Sequence, residues 1–258
     1  MGIYTWITLI VIMWIISGQM VICDASETEL DIFQHANKLY KAEKYKEAAE
    51  EYERLIHMGI RNGIVYYNLG NAYFKSNQLG KAILYYERAK RFMPRDEDIL
   101  ANLRYVNLLI VDKVDTEKLG SIKGWIYRLY HILSINEQTV LVSLIYTVII
   151  ILCIIAMFLY NKRLITRLII TTNICISIIF VVCICSLVIR CYSMSHTPEA
   201  IVMESKVSVK SGPSTELETM FYIHEGTKIR IREMRDEWYQ IELKDKIGWI
   251  KKDMVEII

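Results

Sequence analysis

The sequence holds little from which a catalytic or metal centre could be assembled. Its five histidines, His35, His57, His131, His196 and His224, are scattered without metal-ligand spacing. No nucleophile and base stand out as a pair, and no glycine-rich phosphate loop occurs. An enzyme, a bound metal and a cofactor are therefore not expected. The net charge of +2 is too balanced to argue for a nucleic-acid partner. Cysteine is missing from residues 26–112 and 199–258. All six, Cys23, Cys153, Cys175, Cys183, Cys185 and Cys191, lie in or beside apolar blocks, so no disulfide framework is implied. Cys183 and Cys185 have neither histidine nor carboxylate nearby and read as small apolar side chains rather than as a metal or redox pair.

What the chain does have is three apolar blocks. The first, "IYTWITLIVIMWII", is 14 residues long, short for a bilayer span, and is followed by small residues up to "CDAS". It reads as a signal peptide over 1–25, cut after Ala25. Because it carries no Lys or Arg, an uncleaved anchor is the alternative; either places the next region outside the cytoplasm. The other two blocks, Thr139 to Tyr160 and Leu168 to Ile189, are each 22 residues without a charge, where about 20 suffice to cross. They predict transmembrane helices at 139–160 and 168–189. Lys162, Arg163 and Arg167 crowd the intervening turn, 161–167, which the positive-inside rule assigns to the cytoplasm. Two crossings return the chain to its starting side. The regions flanking the hairpin are thus expected together in the periplasm, or outside the cell where there is no outer membrane. Asn173 is a candidate for a hydrogen bond between the spans, or for contact with headgroups or water.

The segment 113–138 precedes the first span. Ile122, Trp125, Ile126, Leu129 and Leu133 share one helical face and Lys123, Arg128 and His131 the other, which suits a helix lying in the bilayer interface or packed on its neighbour. Ser134 and Glu137 have capping-box spacing, a natural start for the spanning helix.

Residues 26–112 repeat with a period of 34: Ala36, Asn37, Ala48, Tyr52, Glu53 and Arg54 return as Gly70, Asn71, Ala82, Tyr86, Glu87 and Arg88. A small residue at position 8, alanine at 20, an aromatic at 24 and proline at 32, here Gly70, Ala82, Tyr86 and Pro94, resemble the tetratricopeptide repeat. The resemblance implies helix hairpins at 29–62 and 63–96 with a capping helix at 97–111. It also accounts for Gly70, which lies where the paired helices of a repeat cross closely. Recurrent amides on the inner helices, Gln34, Asn68 and Asn102 at position 6 and Asn37 and Asn71 at position 9, are joined by the aromatics Phe33, Tyr67, Tyr40 and Phe74. Amides that donate and accept, set among apolar pockets, suit a peptide backbone, so these nine are the candidate partner-binding residues. Phe33 and Asp98 occupy positions where a carboxylate-clamping groove would be basic, so a free C-terminus is not the expected ligand.

From Glu199 onward the pattern alternates. "KVSVKSGPS", "TKIRIREM", "EWYQIEL" and "GWIKKDMVEII" predict short strands of a small barrel at 199–258. Their order, with Gly212-Pro213, Gly226, Trp238 and Gly248-Trp249, resembles the bacterial SH3-like domain. That resemblance makes Trp238 and Trp249 candidate contacts for a cell-wall peptide, although a barrel this small commonly consumes its tryptophans in the core.

The whole order is a multidomain membrane protein: an all-α tetratricopeptide solenoid, a two-helix transmembrane hairpin and a small all-β SH3-like barrel. It resembles the BatE proteins of the aerotolerance operon of Bacteroides and relatives. This resemblance implies a non-enzymatic inner-membrane scaffold whose partners are other membrane-anchored Bat-type proteins carrying von Willebrand A-type domains.

Overall fold

The computed structural model describes residues 27–112, 132–160, 162–196 and 198–258. The expected signal segment and most of the expected amphipathic helix, residues 113–131, lie outside them.

Five helices form the solenoid: α1 (Glu27–Lys41), α2 (Tyr45–His57), α3 (Gly63–Lys75), α4 (Leu79–Phe92) and α5 (Glu97–Leu109). Asn62 caps α3 by accepting from the Ile64 amide (2.8 Å), and Asp96 caps α5 by accepting from Ile99 (3.0 Å). The tight turns inside the two hairpins each place one residue in the left-handed region, Glu43 (φ 62°) and Asn77 (φ 61°). These lie one repeat apart, so the backbone repeats as the side chains do. Tyr52 and Tyr86 occupy matching core positions among Leu55, Leu69, Ile83, Leu84 and Ile99. At Gly70 a Cβ would stand 2.7 Å from the Tyr86 ring, so the close crossing that offsets glycine's poor helix propensity is real. Helix α5 closes the stack with Ile99, Leu103 and Val106, yet leaves Tyr105, Leu108 and Leu109 exposed on its other side.

The hairpin consists of α6 (Ile135–Phe158) and α7 (Arg163–His196). The Ser134–Glu137 capping box forms as the spacing predicts. Both helices are long and apolar enough to cross a membrane, with mean hydropathy 3.0 and 2.8, and they associate the protein with one. Their ends differ from the expected spans. The Thr166 amide donates to Lys162 O (3.0 Å), so helix begins inside the segment expected as a loop at 161–167. Hydropathy marks the lipid-soluble stretch, whereas hydrogen bonding carries the helix on through polar residues at both outer ends. Between the helices Gln138 Nε2 donates to Ser186 Oγ (3.2 Å), Tyr146 stacks on Phe180, and Asn173 Nδ2 reaches Cys153 Sγ (3.1 Å) and Ile149 O (3.4 Å). Asn173 therefore bonds across the helix pair, one of its two expected roles.

The barrel has seven antiparallel strands: β1 (Glu199–Val202), β2 (Lys206–Lys210), β3 (Thr219–His224), β4 (Lys228–Arg235), β5 (Trp238–Leu243), β6 (Lys246–Lys251) and β7 (Val255–Ile257). They are ordered β3-β2-β6-β5-β4-β1-β7. Val207, Val209, Ile223, Ile229, Ile231, Ile241 and Ile250 fill one core. A Cβ at Gly248 would stand 2.4 Å from Val209 Cγ1, so glycine there lets β6 close onto β2. The alternating pattern suggests four stretches, the last of which holds both β6 and β7, and passes over β1 and β3. In β1 the residues Ala200, Ile201 and Val202 are all buried, Ala200 and Val202 in the barrel core and Ile201 in that of the solenoid. A strand covered on both faces has no polar alternation to show.

Candidate functional site

The inner helices α1 and α3 line a groove. A cavity of about 170 Å³ is bounded by Asn37, Tyr40, Lys41, Tyr52, Asn68 and Asn71, all from the solenoid. Its asparagines form a ladder. Asn37 Oδ1 accepts from Tyr52 OH (2.6 Å) and from Asn68 Nδ2 (3.4 Å). One repeat later Asn71 Oδ1 accepts from Tyr86 OH (2.7 Å) and from Asn102 Nδ2 (3.0 Å). Burial pushes the Tyr52 hydroxyl up to about 12, and burial raises Tyr86 as well, so both remain protonated donors. The amide oxygens at position 9 are thus already engaged, and the ligand-facing capacity lies mainly in their Nδ2 groups.

The remaining candidates are placed as follows. Phe33 and Tyr67 are half-buried with their rings about 6 Å from Tyr52 and Tyr86 (6.1 and 6.0 Å). Tyr40 meets Tyr45 edge-on and Phe74 meets Tyr105 in the same way. Asn102 also donates to Tyr67 OH (3.2 Å), while Gln34 is exposed. Lys41 and Tyr52 line the cavity and were not among the sequence candidates: Lys41 breaks the amide pattern, and Tyr52 belongs to an outer helix whose hydroxyl reaches through. In the barrel, Trp249 is 6% exposed with the Arg235 guanidinium over its ring, and Trp238 is half-buried. Trp249 has little surface left for a ligand.

A second feature, absent from the sequence reading, is that the barrel is docked on the solenoid's outer helix α4. Lys228 Nζ sits between Glu87 (3.2 Å) and Glu199 (2.8 Å). Arg88 donates to Ile257 O (2.6 Å) and pairs with Glu256 (3.0 Å), and Arg91 donates to Ile258 O (2.6 Å). Asp112, after α5, accepts from the His224 amide (2.7 Å) and Thr227 Oγ1 (2.9 Å). Glu225 of the barrel accepts from the Gly80 amide (2.8 Å) in the first turn of α4, supplying from another domain the cap that its N-cap residue Gln78 does not. Gly226, at φ +83°, lets this loop lie against Ile110 and Ile83, where a Cβ would stand 2.7 and 2.9 Å away. Gly226→Ala is expected to weaken docking by about 2 kcal/mol, combining an unfavourable backbone region with overpacking. Faster hydrogen exchange of the Gly80 amide in the full-length protein would register it. The solenoid is also tied to the hairpin, since Arg95 pairs with Glu137 and donates to Ile132 O (3.2 Å).

Residues 33–97 match the family model described as "Tetratricopeptide repeat", and residues 205–256 match that described as "Bacterial SH3 domain". The two parts outside the hairpin are a tetratricopeptide solenoid and a bacterial SH3-like domain. Both are typically non-catalytic modules, for binding proteins or cell-wall peptides. No curated protein matches the chain. Two solved structures, NlpC2 and NlpC1 from Trichomonas vaginalis, each align over 23% of this chain at 21% identity and a TM-score of 0.22. The aligned part spans 23% and 22% of those two chains, and a likeness of that size carries no argument.

Proposed function

We propose that the protein is a membrane-anchored adaptor whose tetratricopeptide groove holds a segment of a partner protein. The observation carrying this reading is that the barrel is docked on α4 while, among the described residues, those walling the groove cavity all belong to the solenoid. The inner face remains available, with amide donors, aromatic edges and one cation, Lys41, around it. Such a lining suits an extended or helical peptide whose carbonyls accept from Asn37, Asn68 and Asn71. The resemblance to BatE proteins supports a Bat-type partner, itself membrane-anchored, in a complex serving aerotolerance or envelope stress. The arginine-bearing turn supports an orientation with solenoid and barrel in the periplasm of the inner membrane.

Asn68→Ala with Asn71→Ala is expected to reduce recovery of a crosslinked membrane partner about tenfold or more, as two hydrogen-bonding side chains at about 1 kcal/mol each would predict. The full-length protein in native membranes is the sample, and crosslinking with mass spectrometry the readout. Unchanged recovery refutes the groove. In the alternative reading the barrel senses the cell wall through Trp238. Trp238→Ala abolishing sedimentation with cell-wall sacculi, with partner capture intact, would favour that reading instead.

A further inference from the structure

We propose that the cavity where solenoid, barrel and hairpin meet binds the headgroup of an anionic phospholipid. This cavity, of about 670 Å³, lies outside the groove and within the size range of small-molecule sites. Arg61, Arg88, Arg91 and His57 line it, and among the described residues no Asp or Glu does. The N-cap Ser134 and the first two residues of α6, Ile135 and Asn136, form another wall at the positive end of that helix, which the Glu137 carboxylate of the capping box offsets in part. Ile135, Phe92 and Ile257 make part of the lining apolar.

Its depth selects a lipid. The uncharged apolar run of α6 begins at Val140, four residues beyond Asn136, or about 6 Å along the helix axis. A bilayer's polar zone is about 5–7 Å thick on each side of the hydrocarbon. The cavity therefore stands at headgroup level, and below it α6 offers an acyl chain apolar surface, with Leu144, Val148, Ile151 and Ile155 exposed.

The charge balance selects an anion. Arg88 shares its charge with Glu256, and Arg91 gives one bond to Ile258 O. Arg61 is exposed and, among the described residues, makes no ion pair. On the other helix, Arg190 donates to Leu133 O (2.7 Å) at the same end of the hairpin. Burial lowers the Arg91 guanidinium, with Arg88 and Arg190 adding repulsion against the pull of Glu199 and Glu87. Either orientation of the hairpin leaves the cavity at headgroup level, whatever the groove binds.

The test uses the full-length protein in zwitterionic detergent micelles, with retained lipid read by native mass spectrometry. Phosphatidylglycerol is expected to be retained about fivefold or more over phosphatidylcholine of the same acyl chains, the discrimination one well-placed arginine supplies near a membrane surface. Arg61→Gln is expected to reduce that retention about fivefold with no change in the melting profile, since Arg61 takes no part in docking. Equal retention of the two lipids, or retention indifferent to Arg61→Gln, overturns the proposal. Free sn-glycerol 3-phosphate is expected to leave the lipid in place at millimolar concentration. Full displacement by it would assign the cavity to a small soluble anion and overturn the lipid.

Discussion

Lys228→Met is expected to loosen the barrel from the solenoid at neutral pH by about 3 kcal/mol, at the low end of the range for breaking a buried pair. Lys228 stands between Glu87, which is 14% exposed, and Glu199, which is 37% exposed. Methionine fills most of the space but leaves two carboxylates facing each other, and only the outer one is well screened by solvent. The probe is the Gly80 amide, whose acceptor is Glu225 across the interface. Its exchange in the full-length protein is expected to quicken about a hundredfold, corresponding to that free energy. The pH dependence separates a charge effect from a packing effect. Burial alone would push the Glu87 carboxyl up, but Lys228 and then Lys90 outweigh it and hold it below its ordinary value. Burial likewise would lower Lys228, and Glu87 and Glu199 reverse that to a raised value. Glu87 therefore contributes docking stability that is fully present above the unfolded carboxylate range, about pH 4.5, and is lost as pH falls through its depressed folded value. Lys228 contributes fully below the ordinary lysine value, about 10.4, and its share is lost as pH rises through the raised one. The parent should thus dock equally well from about pH 5 to pH 10. In Lys228→Met the largest attraction is gone while burial remains, opposed only by Lys90 and Arg91, so the depression of Glu87 shrinks and acidification costs the variant less docking than it costs the parent. A variant that exchanges no faster, or that loses as much docking on acidification as the parent does, would show that Glu87 and Glu199 are not held together by this lysine.

That interface was illegible in the sequence, for a physical reason. The repeat could be read because one environment recurs every 34 residues, so Tyr52 and Tyr86, Asn37 and Asn71, and Ala48 and Ala82 announce each other. The spans were readable because lipid demands a continuous apolar run. The docking contacts join single residues far apart in the chain, such as Gly80 with Glu225 or Asp112 with His224, and no periodicity marks a partner met once. Strand β1 was passed over because docking buries its outer face as well. The groove asparagines were recognisable as a set, but not the tyrosine hydroxyls that occupy the Oδ1 atoms of Asn37 and Asn71. Those hydroxyls come from outer helices, and only the close crossing that Gly70 permits brings the Tyr86 ring to that depth.

Gly70→Val is expected to cost about 3 kcal/mol or more, and Gly70→Ala to be destabilising despite alanine's better helix propensity. Two effects oppose each other at this position. Alanine gains about 1 kcal/mol from propensity. Its Cβ would stand 2.7, 2.8 and 3.2 Å from the Cδ1, Cε1 and Cγ atoms of Tyr86. A flexible surface side chain would yield, but Tyr86 is 1% exposed and its hydroxyl is tied to Asn71 at 2.7 Å. To retreat it must either give up that hydrogen bond or move α4 outward, and α4 carries the barrel. Overpacking of this kind costs about 1–3 kcal/mol, which exceeds the propensity gain through most of its range, and valine adds two methyl groups with a stiff β-branch. The first repeat supplies the control, because Ala36 occupies the corresponding place and is fully buried. Ala36→Gly should therefore also destabilise, by about 1 kcal/mol or more, from lost propensity and a lost buried methyl. Alanine at one repeat and glycine at the next would then each be preferred to the other's residue. Hydrogen exchange of α3 and α4 in the full-length protein measures the first substitution, and of α1 and α2 the second. If Gly70→Ala leaves α3 and α4 as well protected as before, the Tyr86 ring is free to move, and the ladder from Tyr86 through Asn71 to Asn102 is not what fixes the shape of the groove.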